Sequence, residues 1–110
     1  DAMMDACSGP VGGCDVSIVE KFNRPPCLFA RNIVDTVEAA ATQLGEDHMR
    51  MTSGAFHDAL FMNDICATGM IFVPCEGGIS HNPRENAQPD DLAAGTRVLL
   101  ASLAVIDSEM

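Results

Sequence analysis

Residues 51–82, MTSGAFHDALFMNDICATGMIFVPCEGGISHN, decide the fold of this chain. They predict a glycine turn, then a helix over residues 55–65, and then a buried strand from Met70 to Val73. A glycine-rich loop follows the strand. Loops beyond the carboxyl ends of strands converge in an α/β sheet, so His57 and His81 of this stretch are the first candidates for a functional site.

The hydrophobic patterns on either side of this stretch predict two longer helices. Apolar side chains recur at helical spacing over residues 28–44, and Gly45 is placed to end that helix in a left-handed conformation. Pro89 and the two aspartates after it open a last helix, where Asp90 can cap free amides. The apolar face of this last helix is predicted to consist of Leu92, Thr96, Leu99, Leu103 and Ile106.

The N-terminal part has weaker signals. Residues 2–6 could be the end of a helix, and the turn formers of residues 8–14 predict a flexible connection without regular structure. Residues 15–22 predict a strand, which Pro25 and Pro26 end because they lack backbone donors. We expect the boundary between two domains at this proline pair.

Strand-like and helical segments alternate along the chain, and a further short strand is possible at residues 49–52. This order predicts an α/β layer. The unbroken hydrophobicity of residues 69–74, GMIFVP, favours a strand that is covered on both faces. Because two or three strands cannot cover it, we expect additional sheet partners.

Composition excludes several classes of protein. The 110 residues include 16 acidic but only 6 basic residues and no Trp or Tyr, which argues against binding to nucleic acid or to an anionic membrane. Five cysteines without a Cys-x-x-Cys pair suggest no disulfide framework and no zinc knuckle, and Cys66 and Cys75 are expected to be inert among apolar neighbours. These cysteines make a reducing, cytoplasmic setting the simplest expectation, and the sequence has neither an apolar run of membrane-spanning length nor a basic-then-apolar signal peptide.

Each of the two histidines has a functional and a structural interpretation. His81 lies after Gly77 and Gly78 on a loop, so its imidazole can be a metal ligand or simply an exposed loop side chain. His57 can donate a hydrogen bond to a developing oxyanion, or it can be half-exposed beside an Asp58 that only favours the helix start. His48 is expected to be a solvated loop residue.

The residues themselves do not define a complete metal site. Two histidines are fewer than the three protein ligands of a catalytic zinc ion. The carboxylates of the C-terminal half have no spacing that joins them to His81. No serine or cysteine lies in a strand-turn-helix elbow, so a nucleophilic mechanism is not favoured.

Several ordered segments of the chain resemble one family. Residues 53–59, SGAFHDA, residues 69–74, GMIFVP, and residues 77–85, GGISHNPRE, are similar to the C-terminal part of metal-dependent amidases. These amidases include N-carbamoyl-L-amino-acid hydrolase, fungal-type β-ureidopropionase and allantoate amidohydrolase, and they are related to dinuclear-zinc aminoacylases and exopeptidases. Two departures are Phe56, where many relatives have glycine, and Asn86, where an aromatic residue is frequent.

The resemblance implies a fold and roles for individual residues. Residues 1–24 would end an α+β lid and dimerisation domain, and residues 25–110 would form the C-terminal part of a three-layer α/β/α catalytic domain. His81 would bind one of two divalent metal ions, which could be Zn, Mn, Co or Ni, and His57 would stabilise the transition state. The remaining substrate-binding residues would be Gly77, Gly78 and Asn82.

The resemblance also implies what this stretch of chain lacks. The other metal ligands of the family, its glutamate general base and its lid arginine belong to an upstream part. We therefore expect a C-terminal fragment of a homodimeric amidohydrolase for small linear amides, either N-carbamoyl amino acids or allantoate, that is inactive alone. The alternative is a non-catalytic remnant or an assembly subunit.

Overall fold

The computed structural model describes residue 6 and residues 8–110. In chain order its elements are strands β1 (Gly9–Val11) and β2 (Cys14–Val16), helices α1 (Arg31–Leu44) and α2 (Asp58–Met62), a 3₁₀ turn (Glu76–Gly78) and helix α3 (Pro89–Glu109). Helices α1 and α3 pack against each other. Across the described part of the chain, none of the helices combines the length and the apolar character that a membrane span requires.

The core is a seam of small side chains between α1 and α3. Ala40 and Ala41 of α1 are buried against Val98 of α3, and Val37, Ile71 and Ala101 pack around them. Ser102 is only 2% exposed, and its hydroxyl donates to the Val98 carbonyl at 2.7 Å. Small side chains at a helix contact allow the two helix axes to approach closely.

Helix α1 confirms the helix that the sequence predicts, although it begins at Arg31, three residues later than residue 28. Gly45 has a φ of 70° and ends the helix, as predicted. Its N–H donates to Thr42 O at 3.1 Å and the Glu46 N–H donates to Ala41 O at 3.0 Å, the hydrogen-bond pattern of a Schellman motif.

Helix α3 is confirmed, but the predicted buried face is wrong. Leu92, Leu99 and Leu103 are 50%, 48% and 53% exposed, whereas Val98 and Ser102 form the buried contact. The prediction followed the largest apolar side chains. The alanines of α1 instead select the face with small residues. Asp90 and Asp91 lie in the first turn, and no side chain caps the helix.

The strand predicted at residues 69–74 is not formed as such. The segment is extended, but the one sheet among the described residues pairs β1 with β2. Alternate residues face the helices: a Cβ on Gly69 would lie 2.8 Å from Ile33, and a Cβ on Gly95 would lie 2.6 Å from Val73. Phe72 faces away from them and is partly exposed. Covering by helices on both faces is therefore not observed.

Three local predictions need correction. The sequence predicts a flexible connection at residues 8–14, but residues 9–16 form a hairpin, in which the Gly12-Gly13 pair, with φ values of 58° and 83°, joins β1 to β2. The strand predicted over residues 15–22 ends at Val16. Residues 49–52 form no strand in the described structure. The helix predicted at residues 2–6 lies outside the described residues apart from Ala6.

The helix predicted over residues 55–65 is shorter in the structure. Helix α2 spans only Asp58–Met62, and the chain continues as turns. Of its predicted buried face, Leu60 is half-buried, but Phe61 and Ile65 are exposed. Cys66, expected among apolar neighbours, is also exposed.

The contact between Gly95 and Val73 predicts the effect of a single methyl group. Substitution G95A places a Cβ against the stiff, β-branched Val73. Overpacking costs about 1–3 kcal/mol, more than the roughly 1 kcal/mol that alanine gains over glycine in a helix. We expect G95A to lower the free energy of unfolding by about 1 kcal/mol in denaturant titrations.

Substitution G54A is the matched control, because a Cβ on Gly54 meets no atom within 4 Å. We expect it to leave the unfolding midpoint nearly unchanged. Adding V73A to G95A should recover part of the loss. A G95A variant more stable than the parent would show that helix propensity outweighs this packing.

Candidate functional site

His57 lies immediately before α2, and Ser53 holds its ring. Its backbone is extended, with φ −137° and ψ 152°. The Ser53 Oγ atom lies 2.7 Å from His57 Nε2 and also accepts a hydrogen bond from the Ala55 N–H at 3.2 Å. The turn formed by residues 53–55 thus fixes one nitrogen of the imidazole and leaves Nδ1 available.

His81 lies close to His57. The two ring centroids are 6.2 Å apart. The His57 ring also meets the Phe72 ring edge to face, with 5.6 Å between the ring centroids. The extended segment of residues 69–74 therefore lies beside the two histidines. Twenty-four positions separate the two histidines, and the fold brings them together as the sequence analysis expects.

His81 has an unusual backbone conformation. Its φ is 56°, and it is the one described non-glycine residue with a positive φ. The left-handed region costs an ordinary residue of order 1–3 kcal/mol, and such strain occurs preferentially at functional sites. The side chain of His81 is exposed.

The loop that carries His81 is closed at its base by Glu76 and Asn86. The Glu76 N–H donates to Asn86 O at 2.7 Å, and Asn86 Nδ2 donates to the Glu76 carboxylate at 2.9 Å. The side-chain amide of Asn86 therefore has a structural role here. Asn82 Oδ1 accepts from the Arg84 N–H at 2.9 Å, which stabilises the tip of the loop.

His57 also lines a broad groove with Phe56, Leu60 and Phe72. Gly77, Gly78 and Asn82, the predicted substrate-binding residues, lie in the neighbouring exposed loop and are not among the residues that line this groove. Both glycines have positive φ values, 64° and 68°, so the backbone leaves helical geometry at Gly77, a conformation that glycine adopts without a Cβ penalty.

The residues present fit one ligand of a metal ion and not a complete set. Within residues 8–110 the His81 imidazole has no hydrogen-bond partner, so its nitrogens are available to a ligand. No group of three or more His, Cys, Asp or Glu side chains in the described structure could hold a metal ion. Any such ion would need further ligands from residues other than these.

The other predicted residues have simpler surroundings. Asp58 lies in the first turn of α2 and is exposed. His48 is an exposed loop residue, as predicted, and its Nδ1 lies 2.8 Å from Glu46 O. Sequence reasoning missed Ser53, although its position two residues before Ala55 and four before His57 is typical of a serine turn.

Comparison with known proteins identifies the family of the chain. The model of peptidase family M20/M25/M40 matches residues 6–104. Ureidoglycolate hydrolase from Oryza sativa subsp. japonica is 45% identical over 80 residues, which are 73% of this chain and 16% of that protein. N-carbamoyl-L-amino-acid amidohydrolase from Rhizobium meliloti is 42% identical over 87 residues, which are 79% of this chain and 20% of that protein.

A solved structure is also similar. The crystal structure of AtUAH in complex with (S)-hydroxyglycine matches with a TM-score of 0.70 and 45% sequence identity, over 73% of this chain and 19% of that one. The chain therefore spans between 16% and 20% of the length of these relatives. The resemblance to the amidases is confirmed. Ureidoglycolate hydrolase is a similar enzyme that the sequence analysis did not name.

The strained backbone of His81 predicts different stabilities for two variants that both remove the imidazole. H81G should be more stable to unfolding than H81A by about 1 kcal/mol, because glycine adopts a positive φ without a Cβ penalty. Denaturant titration of both variants measures the difference. Equal stabilities, or a more stable H81A, would show that position 81 is unstrained.

The thiol of Cys75 predicts a pH dependence near the base of the same loop. Its pKa is raised, first by burial and then by the Glu85 carboxylate, whose Oε1 atom lies 3.7 Å from the sulfur. E85Q removes the charge, so we expect the pKa of Cys75 to fall but to stay above that of an exposed thiol. The rate of iodoacetamide alkylation against pH, followed by mass spectrometry, should shift to lower pH.

E76Q is the control for this experiment, because Glu76 pairs with Asn86 and not with the thiol. Its alkylation profile should match that of the parent. A profile in E85Q that does not move would exclude Glu85 as a neighbour of the thiol in solution.

Proposed function

The chain belongs to peptidase family M20/M25/M40, and we propose that it forms part of the active site of an amidohydrolase for linear, non-peptide amides. The observation that supports this most directly is the close approach of His57 and His81, with 6.2 Å between their ring centroids. The remaining catalytic groups would lie outside these 110 residues, since the chain spans about a fifth of the length of its relatives.

The proposed substrates share a ureido group. The names of the relatives include a ureidoglycolate hydrolase and an N-carbamoyl-L-amino-acid amidohydrolase. In both of the named compounds, one carbon atom is bonded to a carboxylate and to a nitrogen atom that bears a carbamoyl group. We infer that the substrate is a small compound of this kind, and allantoate, another ureido compound, belongs to the same class.

His57 is proposed to stabilise the oxyanion that forms when the amide is attacked. The Ala55 N–H already donates to Ser53 Oγ, so the serine hydroxyl can donate its own hydrogen bond to His57 Nε2. The neutral ring would then carry its proton on Nδ1 and donate from there. Fixed donors of this type stabilise a developing charge because they need no reorganisation during the reaction.

His81 is proposed as one metal ligand of the same site, and Gly77, Gly78 and Asn82 as the loop that lines the substrate pocket. When bound, a divalent ion such as Zn, Mn, Co or Ni would supply Lewis-acid polarisation of the amide carbonyl. Two such ions for each subunit, a homodimer and a cytoplasmic location complete the proposal.

Single substitutions of the three histidines test this function. The variants are made in the protein as it exists in its source, with its full chain and all of its subunits. H57A should lower kcat for ureidoglycolate or an N-carbamoyl amino acid by about 10²–10³-fold, the usual effect of removing one oxyanion donor. H81A should lower both activity and the content of divalent metal measured by elemental analysis.

H48A is the matched control, since His48 is an exposed loop residue whose ring is bonded to Glu46 O. It should retain the activity and metal content of the parent. An H57A variant as active as H48A would contradict the role of His57. A parent protein with neither metal nor amide hydrolysis would instead favour the non-catalytic remnant or assembly subunit.

A further inference from the structure

We infer that residues 22–28 form a clasp that positions His57, through side-chain and backbone contacts to both ends of the helix that follows this histidine. The clasp consists of Phe22, Arg24, Cys27 and Leu28. Its effect on catalysis rests on the function proposed for His57, whereas its effect on the position of the ring does not.

The first contact of the clasp lies beside His57. The rings of Phe22 and Phe56 meet edge to face, with centroids 5.3 Å apart and an angle of 71° between their planes. Phe56 precedes His57 directly in the sequence. The aromatic pair therefore fixes the chain at the N-terminal side of the histidine.

The second contact is the guanidinium of Arg24. Its Nη2 atom donates to the Leu60 carbonyl at 3.0 Å and to the Asp64 carboxylate at 2.6 Å, and its Cζ atom lies 5.0 Å from the Phe61 ring centroid. The Arg24 side chain is only 19% exposed. One side chain thus binds α2 and the turn after it at three points.

The third contact lies at the C-terminal end of α2. Asn63 Nδ2 donates to Cys27 Sγ at 3.1 Å and to the Leu28 carbonyl at 3.3 Å. Pro25 and Pro26 separate this contact from Arg24, and their rings fix φ, which keeps the spacing of the contact points rigid.

The clasp matters because α2 cannot hold its own position. The helix has five residues, none of them buried. So short a helix gains little from its own hydrogen bonds, and its stability must come from tertiary contacts. Since His57 is the residue before α2, a displacement of the helix displaces the imidazole from Ser53 and His81.

The test is R24M in the protein as assembled in its source, labelled with ¹⁵N-histidine. The ring signals of His57 should shift, while those of His48 stay in place, because His48 is bonded to residues outside the clasp. The value of kcat/KM for the ureido substrate should fall by roughly 10- to 100-fold, the size of effect that a small displacement of a catalytic side chain produces. The fall should come from a lower kcat, with KM nearly unchanged. R24K should recover part of both effects.

R31M is the control for the lost charge, because Arg31 is 92% exposed and lies outside the clasp. Unchanged His57 signals in R24M would overturn the inference. If R24M also moves the His48 signals, the variant is unfolding, and the F22A variant then provides the test. A shift of the His57 signals alone in F22A supports the clasp. The absence of any shift in F22A overturns the clasp. A parent protein that hydrolyses no ureido compound, but whose His57 signals shift in R24M, would refute the proposed function and leave the clasp intact.

Discussion

The close contact between α1 and α3 is the constraint on which the rest of the structure depends. Four residues, Ala40, Ala41, Val98 and Ser102, supply the buried seam, and no large side chain is fully buried among the described residues. Such a core is stabilised by the close packing of the two helices and not by the burial of large side chains. The segment of residues 69–74 lies against both helices only because Gly69 and Gly95 present no side chain there.

The site is built on segments that this core does not fix. His57 precedes a five-residue helix, and His81 lies on an exposed loop with a left-handed backbone. Their positions depend on local contacts: Ser53 at the ring of His57, and Glu76 with Asn86 at the base of the loop. Polar contacts of this kind determine direction well but contribute little to stability when they are exposed to water.

The sequence predicts well those features that depend on local pattern. The periodicity of α1, its end at Gly45 and the pairing of two distant histidines were all accessible from residue types and order. The sequence predicts poorly those features that depend on contacts with distant parts of the chain. The leucines of α3 looked like a core face, yet the small side chains of α1 select Val98 and Ser102. Likewise, extended backbone becomes a strand only where another strand supplies its hydrogen bonds.

The contact of Gly95 with Val73 also has an evolutionary consequence. A Cβ at position 95 would lie 2.6 Å from the valine methyl group, so position 95 is not free to gain a side chain while Val73 is present. A lineage that gains a side chain on the helix must first lose one on the extended segment. Among descendants of such a fold, these two positions should therefore vary together, and the order of their substitutions should be constrained.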